Sequence, residues 1–239
     1  MSICVISQPR FFPGLHYLHR MMVANLFVIL DNVQFNPRHE ENRARVKGPN
    51  GPQWLTVPVR QASREQLIRD TRVDPTQHWQ RKLTGTIRAL YARAPYFSEY
   101  GGEVVEIIGR PLETLVAVDL ASWEPALRLL GVNCKFVLAS ELPVAGSGSQ
   151  LLLEICQHLG ATTYLSGAFG HDYLNIEEFN KCGISVCFHE YTYPSYPQRF
   201  GEFVPFLSYL DILFNVGLDR NMVAAGGQIA PALPADVRS

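Results

Sequence analysis

Three polar residues stand where short apolar runs end: Gln8, Asp31 and Gln34. Ile3 to Ile6 is an apolar run of strand length that Gln8 and Pro9 terminate. Leu26 to Leu30 is a second such run, ending on Asp31 with Gln34 just beyond. Between them Phe12, Leu15, His19, Met22, Val23 and Leu26 recur at helical spacing. Two parallel strands joined by a helix place their carboxyl ends side by side, and open α/β sheets bind ligands there. In that crevice Asp31 is a candidate base or amine-orienting group. Gln8 and Gln34 are candidate donors to a developing oxyanion. The competing reading makes Asp31 a turn former or helix cap.

Further candidates lie along the chain. Asn42 and Arg43 enter a stretch close in sequence to the crevice, and the planar fork of Arg43 suits a phosphate or carboxylate. Thr162 to Leu165 reads as a strand running into Ser166, Gly167, Gly170, His171 and Asp172, a glycine-containing loop able to hold an anion. Ser166 is the best-placed nucleophile should a covalent intermediate form. Tyr193, Tyr196 and Gln198 belong to a Tyr- and Pro-rich ordered loop and are candidate substrate contacts. His16 and His19 share one helical face. No third partner completes a metal set, so no metal is expected.

These residues require a scaffold of alternating strands and helices. Further strands are expected at Cys134 to Ala139, Thr162 to Leu165 and Ile184 to Phe188. Residues 43–59 read as a β-hairpin around Gly48-Pro49-Asn50-Gly51-Pro52. Trp79, Leu83, Ile87 and Leu90 open a helical block over residues 77–131 that stops at Gly131. Leu151 to Leu159 and Phe203 to Phe214 read as amphipathic helices, with Asp211 flanking the second in a structural role. The expected fold is α/β: a Rossmann-like, mostly parallel sheet with flanking helices. Residues 1–221 form a single α/β domain with the helical block inserted, and residues 222–239 a flexible C-terminal tail.

The 239 residues are 47% hydrophobic and carry a net charge of −1. That balance argues against nucleic acid as a partner. Five scattered cysteines without CxxC spacing argue for a reduced, cytoplasmic chain rather than a disulfide framework. No run is long enough for a membrane helix, and no signal-peptide pattern opens the chain.

Several segments together resemble the WbqC-like protein family found in O-antigen clusters. They are Gln8-Pro9 with Phe12-Pro13, the Leu30 to Phe35 run, Asn42-Arg43, Trp54 to Val59, Ala94 to Phe97, Tyr164 to Gly167, Tyr196 to Gln198 and Leu207 to Asn215. The sequence departs from the family pattern at His16, Asn25, Asn32, Glu40-Glu41 and Tyr193. The resemblance implies transfer of glycine or a related acyl group onto an amino sugar.

Three readings follow. The first is an acyl or aminoacyl transferase that makes an amide on a sugar or natural-product amine from a pre-activated donor. That donor would arrive on an acyl or peptidyl carrier protein, coenzyme A or tRNA. The second is an ATP-dependent adenylating or ligating enzyme. The third is a non-catalytic small-molecule-binding protein of a biosynthetic cluster.

Overall fold

A computed structural model describes residues 2–37, 39–60 and 63–232. The elements in chain order begin with β1 (Ile3–Ser7), α1 (Leu15–Val23) and β2 (Leu26–Ile29). The hairpin strands β3 (Arg43–Gly48) and β4 (Gly51–Thr56) come next, then the short pair β5 (Val59–Arg60) and β6 (Arg72–Val73). Three helices follow: α2 (Trp79–Tyr91), α3 (Phe97–Gly109) and α4 (Leu115–Leu130). The chain returns to the sheet through β7 (Lys135–Leu138), α5 (Gly148–His158), β8 (Thr163–Gly167), α6 (Ile176–Lys181) and β9 (Ser185–Tyr191). It closes with α7 (Tyr209–Val216), α8 (Arg220–Ala225) and β10 (Gly227–Pro231).

The main sheet has six strands in the order β10-β9-β8-β1-β2-β7. All neighbours are parallel except β10, which pairs antiparallel with β9. The connection from β1 through α1 leads outward to β2 and β7. The chain then crosses back through α5 to place β8 on the other side of β1. Strand order therefore reverses at β1, and the switch point lies between β1 and β8.

Successive strand residues point to opposite faces, and both faces are covered by helices. Val5, Phe27, Ile29 and Leu165 join the core beneath α1, the α2–α4 block and α7. Cys4, Ile6, Val28, Tyr164 and Phe188 join a second core beneath α5 and α6. The expected α/β fold, the hairpin and the helical block are all present.

Two local expectations are corrected. The helix read over Phe203 to Phe214 starts only at Tyr209, because Ser208 accepts the Leu210 N–H as its cap. Phe206 is left exposed with a φ of 59°. The stretch from 222 is not wholly a tail. Residues 222–225 complete α8, whose Asp219 side chain caps the Met222 N–H, and residues 227–231 pair along β9. Residues 233–239 lie outside the described residues.

Candidate functional site

A cleft of about 980 Å³ opens at the carboxyl edge of the sheet, over the switch point. Its floor comes from Ile6, Ser7 and Gln8 after β1 and from Ser166 and Gly167 at the end of β8. The loop after β1 contributes Gln8 and Arg10 and is pinned from behind. The Tyr17 hydroxyl donates to the Gln8 carbonyl (2.9 Å) and the Trp123 indole to the Arg10 carbonyl (2.8 Å). The Phe11 N–H donates to the Glu40 carbonyl (3.0 Å) and the Phe12 N–H to Ser122 Oγ (2.9 Å). These bonds hold Phe12 at a φ of 39°, a conformation costly for a bulky residue unless its surroundings fix it.

One side of the cleft is a chain of hydrogen bonds. Glu40 pairs with the Arg10 guanidinium. Arg10 Nη1 lies 3.0 Å from His16 Nε2, and His16 Nδ1 meets the Tyr193 hydroxyl. An arginine only donates, so Nε2 must accept and the imidazole proton must sit on Nδ1. That proton is donated to the Tyr193 oxygen, which leaves the Tyr193 O–H free to donate elsewhere. Burial, reinforced by Arg10 and Arg20, holds His16 well below the usual histidine range, so the ring is neutral. Burial raises the Tyr193 phenol, so it keeps its proton. Gly14 makes room for this contact, because a Cβ there would stand 2.7 Å from the Tyr193 oxygen.

The deeper part holds Arg20, buried at 7% exposure. Its guanidinium lies over the Tyr17 ring at 5.2 Å, with Nη2 3.4 Å from Ser7 Oγ. Nε has no hydrogen-bond partner, and no described carboxylate pairs with it. Burial and the neighbouring Arg10 lower its pKa to about 10, so it stays charged at neutral pH. Beside it His189 Nε2 lies 2.9 Å from His19 Nδ1. Burial, then Arg20 and His19, depress His189 to about 3, so this pair is neutral.

Of the residues singled out from sequence, Gln8, His16, Ser166, Gly167 and Tyr193 line the cleft together. Ser166 is 2% exposed, and a Cβ at Gly170 would stand 2.0 Å from its Oγ, so the hydroxyl is packed against the following loop. Asp31 does not line the cleft. It is 2% exposed and accepts from Ser140 N–H (2.9 Å) and Ser140 Oγ (2.7 Å), tying β2 to the turn after β7. Gln34 is exposed and donates to the Arg64 carbonyl. Asn42 is a buried strut that donates to the Val57 carbonyl at 3.0 Å.

Arg43 stacks on Trp54 at 4.0 Å and lines a recess of about 300 Å³ that shares Gln8, Arg10 and Glu40 with the cleft. Asp172 is exposed outside the cleft lining. Tyr196 donates to Asp211 (3.0 Å), and the Gln198 amide bonds both backbone groups of Val204. Sequence alone does not single out Arg10, Arg20 or His189, and it reaches Glu40 only as a departure from the family pattern. The i, i+4 spacing of His16 and Arg20 was the one available signal. Among the described residues, no group of three or more His, Cys, Asp or Glu is placed to hold a metal ion. No helix among them is long and apolar enough to cross a membrane.

Fold and cleft together define an α/β protein with a doubly wound sheet and a polar crevice at its switch point. The chain belongs to the WbqC-like protein family, whose model matches residues 8–222. It is 30% identical over 222 residues to the uncharacterized protein Rv1507c of Mycobacterium tuberculosis (strain ATCC 25618 / H37Rv). That match covers 92% of this chain and 96% of the relative. No solved structure matches the chain.

Proposed function

We propose that the protein is an acyl or aminoacyl transferase that forms an amide on the amine of a sugar or natural-product intermediate, using a pre-activated donor. The observation that carries this reading is the fixed Glu40–Arg10–His16–Tyr193 chain, which leaves one phenolic proton unclaimed inside the cleft. An amine attacking an activated carbonyl places negative charge on the carbonyl oxygen, and a preorganised neutral donor is what that oxygen needs. Collapse then breaks the acyl–carrier bond, and the carrier group leaves with the proton the amine sheds. Tyr193 is that donor, with His16 and Arg10 as positioning residues behind it. Gln8 offers a second amide contact at the end of β1. The confinement of Ser166 Oγ against Gly170 favours direct transfer over an acyl-enzyme.

The doubly wound sheet favours one alternative, a ligase that activates its own acid with ATP, because nucleotides commonly bind at such switch points. Turnover that requires ATP and releases AMP or ADP would select it. The test is a mass-spectrometric amide-formation assay over amino sugars with acyl-coenzyme A, loaded carrier protein, aminoacyl-tRNA and ATP plus free amino acid as donors. Tyr193→Phe should lower kcat on the order of 10²-fold with little change in KM, as expected for the loss of one oxyanion donor. Full turnover by that variant would remove Tyr193 from the chemistry.

A further inference from the structure

The same cleft contains a cation that the hydrogen-bond chain does not use. Arg20 rises from α1 on one face of the sheet, and its guanidinium reaches the carboxyl edge between β1 and β8, where strand order reverses. Nη2 stands 3.4 Å from Ser7 Oγ after β1, and Nη1 would stand 3.6 Å from a Cβ on Gly167 at the end of β8. The side chain is more than nine-tenths buried, lines the cleft, and leaves Nε without a partner. The two acids of the cleft do not neutralise it. Glu40 is engaged by Arg10, and Glu190 is exposed and makes no ion pair with Arg20.

The opposite face of the sheet contributes a second positive element. The 11-residue helix α5 begins at Gly148, and Gly148 and Leu151 line the cleft. Its N-cap Ser147 makes no side-chain cap hydrogen bond, so the first-turn N–H groups keep their donor capacity. At the mouth stand three aromatic rings exposed well beyond the usual: Phe169 at 84%, Phe206 at 59% and Tyr173 at 53%.

We propose that Arg20 and the N-terminus of α5 form a seat for the phosphoryl group of a small-molecule ligand, whose apolar or planar remainder lies against Phe169, Tyr173 and Phe206. A guanidinium offers the forked donors that a phosphate accepts, and an arginine cannot shed its charge to escape burial. The inference deepens the transferase reading by giving the activated donor a phosphate. It does not need turnover to be true, so its failure would leave the role of Tyr193 standing.

The experiment is a thermal-shift and calorimetric titration of the full chain with inorganic phosphate, AMP and 4′-phosphopantetheine, with acetate as the carboxylate control. Wild type should respond saturably to at least one phosphate and not to acetate. The best of the three identifies whether the remainder is a nucleoside, a pantetheine arm or nothing. Arg20→Met, which keeps the length of the side chain, should weaken phosphate binding at least tenfold without lowering the melting temperature. If that variant does not fold, Arg20→Lys keeps the charge, loses the fork and should bind at least fivefold more weakly. An unchanged affinity in the folded variant, an equal response to acetate, or no response to any phosphate at millimolar concentration overturns the proposal.

Discussion

Arg20 and Asp211 are both buried ionisable groups, and they are treated in opposite ways. Asp211, 1% exposed, accepts from the Tyr91 hydroxyl (2.7 Å), the Tyr196 hydroxyl (3.0 Å) and the Asn215 amide (3.3 Å). Lys47 also acts on it electrostatically. Arg20 has one long contact to Ser7 and an orphaned Nε. Asp211 stitches α7 to α2 and to the Tyr-rich loop after β9, and its acceptor capacity is spent inside the protein. Arg20 borders open space with donors to spare. Removing a partner from a satisfied buried group costs far more than removing a group that nothing inside the protein needs. The first marks a scaffold, the second a binding site.

The largest effect expected from this contrast is on Asp211. Asp211→Ala strands the buried Tyr91 phenol and the half-buried Tyr196 phenol, while Asn215 keeps its bond to the residue 211 carbonyl. It should cost about 3 to 5 kcal/mol, read as a urea midpoint shift. Well below the new melting temperature, the phosphate response attributed to Arg20 should survive. A loss under about 1 kcal/mol would show that the network adds little net stability, and the contrast would fail.

The same contrast explains how far the sequence could be read. The strands, the hairpin, the helical block and the parallel order β1-β2 follow from apolar runs and turn residues. Asp31 was a reasonable choice because it does end the strand beside β1. What the sequence does not reveal is that the crevice runs past β1 to β8, with Leu30 and Val33 after β2 lining one part and Ser166 to Gly170 the other. That depends on the long return through α5, which brings β8 rather than β2 to the switch point. Asp31 therefore faces the turn after β7, where Ser140 claims both carboxylate oxygens. Arg20 sits inside the run Tyr17-Leu18-His19-Arg20-Met21-Met22 and reads as a polar interruption on a helix flank. Only the arrival of Gly167, 147 positions later, turns that flank into the wall of a cleft. Local motifs reached His16 and Tyr193 as single residues, but the bond between them spans 177 positions.

Asp119 sharpens the comparison, because it too is buried without partners. It is fully buried, and both carboxylate oxygens lack hydrogen bonds. It lies outside the cleft lining and needs no ligand, because a carboxyl group can take a proton. Burial, with Glu41 nearby, raises its pKa well above the usual value. The folded state then holds the proton more tightly than the unfolded chain. The neutral form's stability is present at low pH and is lost as pH rises above about 4. Asp119→Leu should therefore stabilise the protein by about 1 to 2 kcal/mol at pH 8 and by less at pH 4, measured by chemical denaturation. Equal effects at both pH values would mean that Asp119 is ionised and paired.

The smallest expected effect concerns the histidines beside Arg20. His189 is depressed to about 3, first by burial and then by Arg20 and His19, and His16 is lowered by burial, Arg10 and Arg20. Here the unfolded chain binds protons that the folded chain refuses. Stability is full above about 6.5, the unfolded histidine value, and falls as pH drops from there toward 3. Arg20→Met removes a repelling charge from both rings and leaves their burial intact. The acid loss between pH 6.5 and 4 should shrink on the order of 0.5 kcal/mol relative to wild type, read as a narrowing gap between the two melting-temperature profiles. Superimposable profiles would mean that Arg20 is screened from these rings by water in the cleft. The isolation that separates it from Asp211 would then be far weaker than its burial implies.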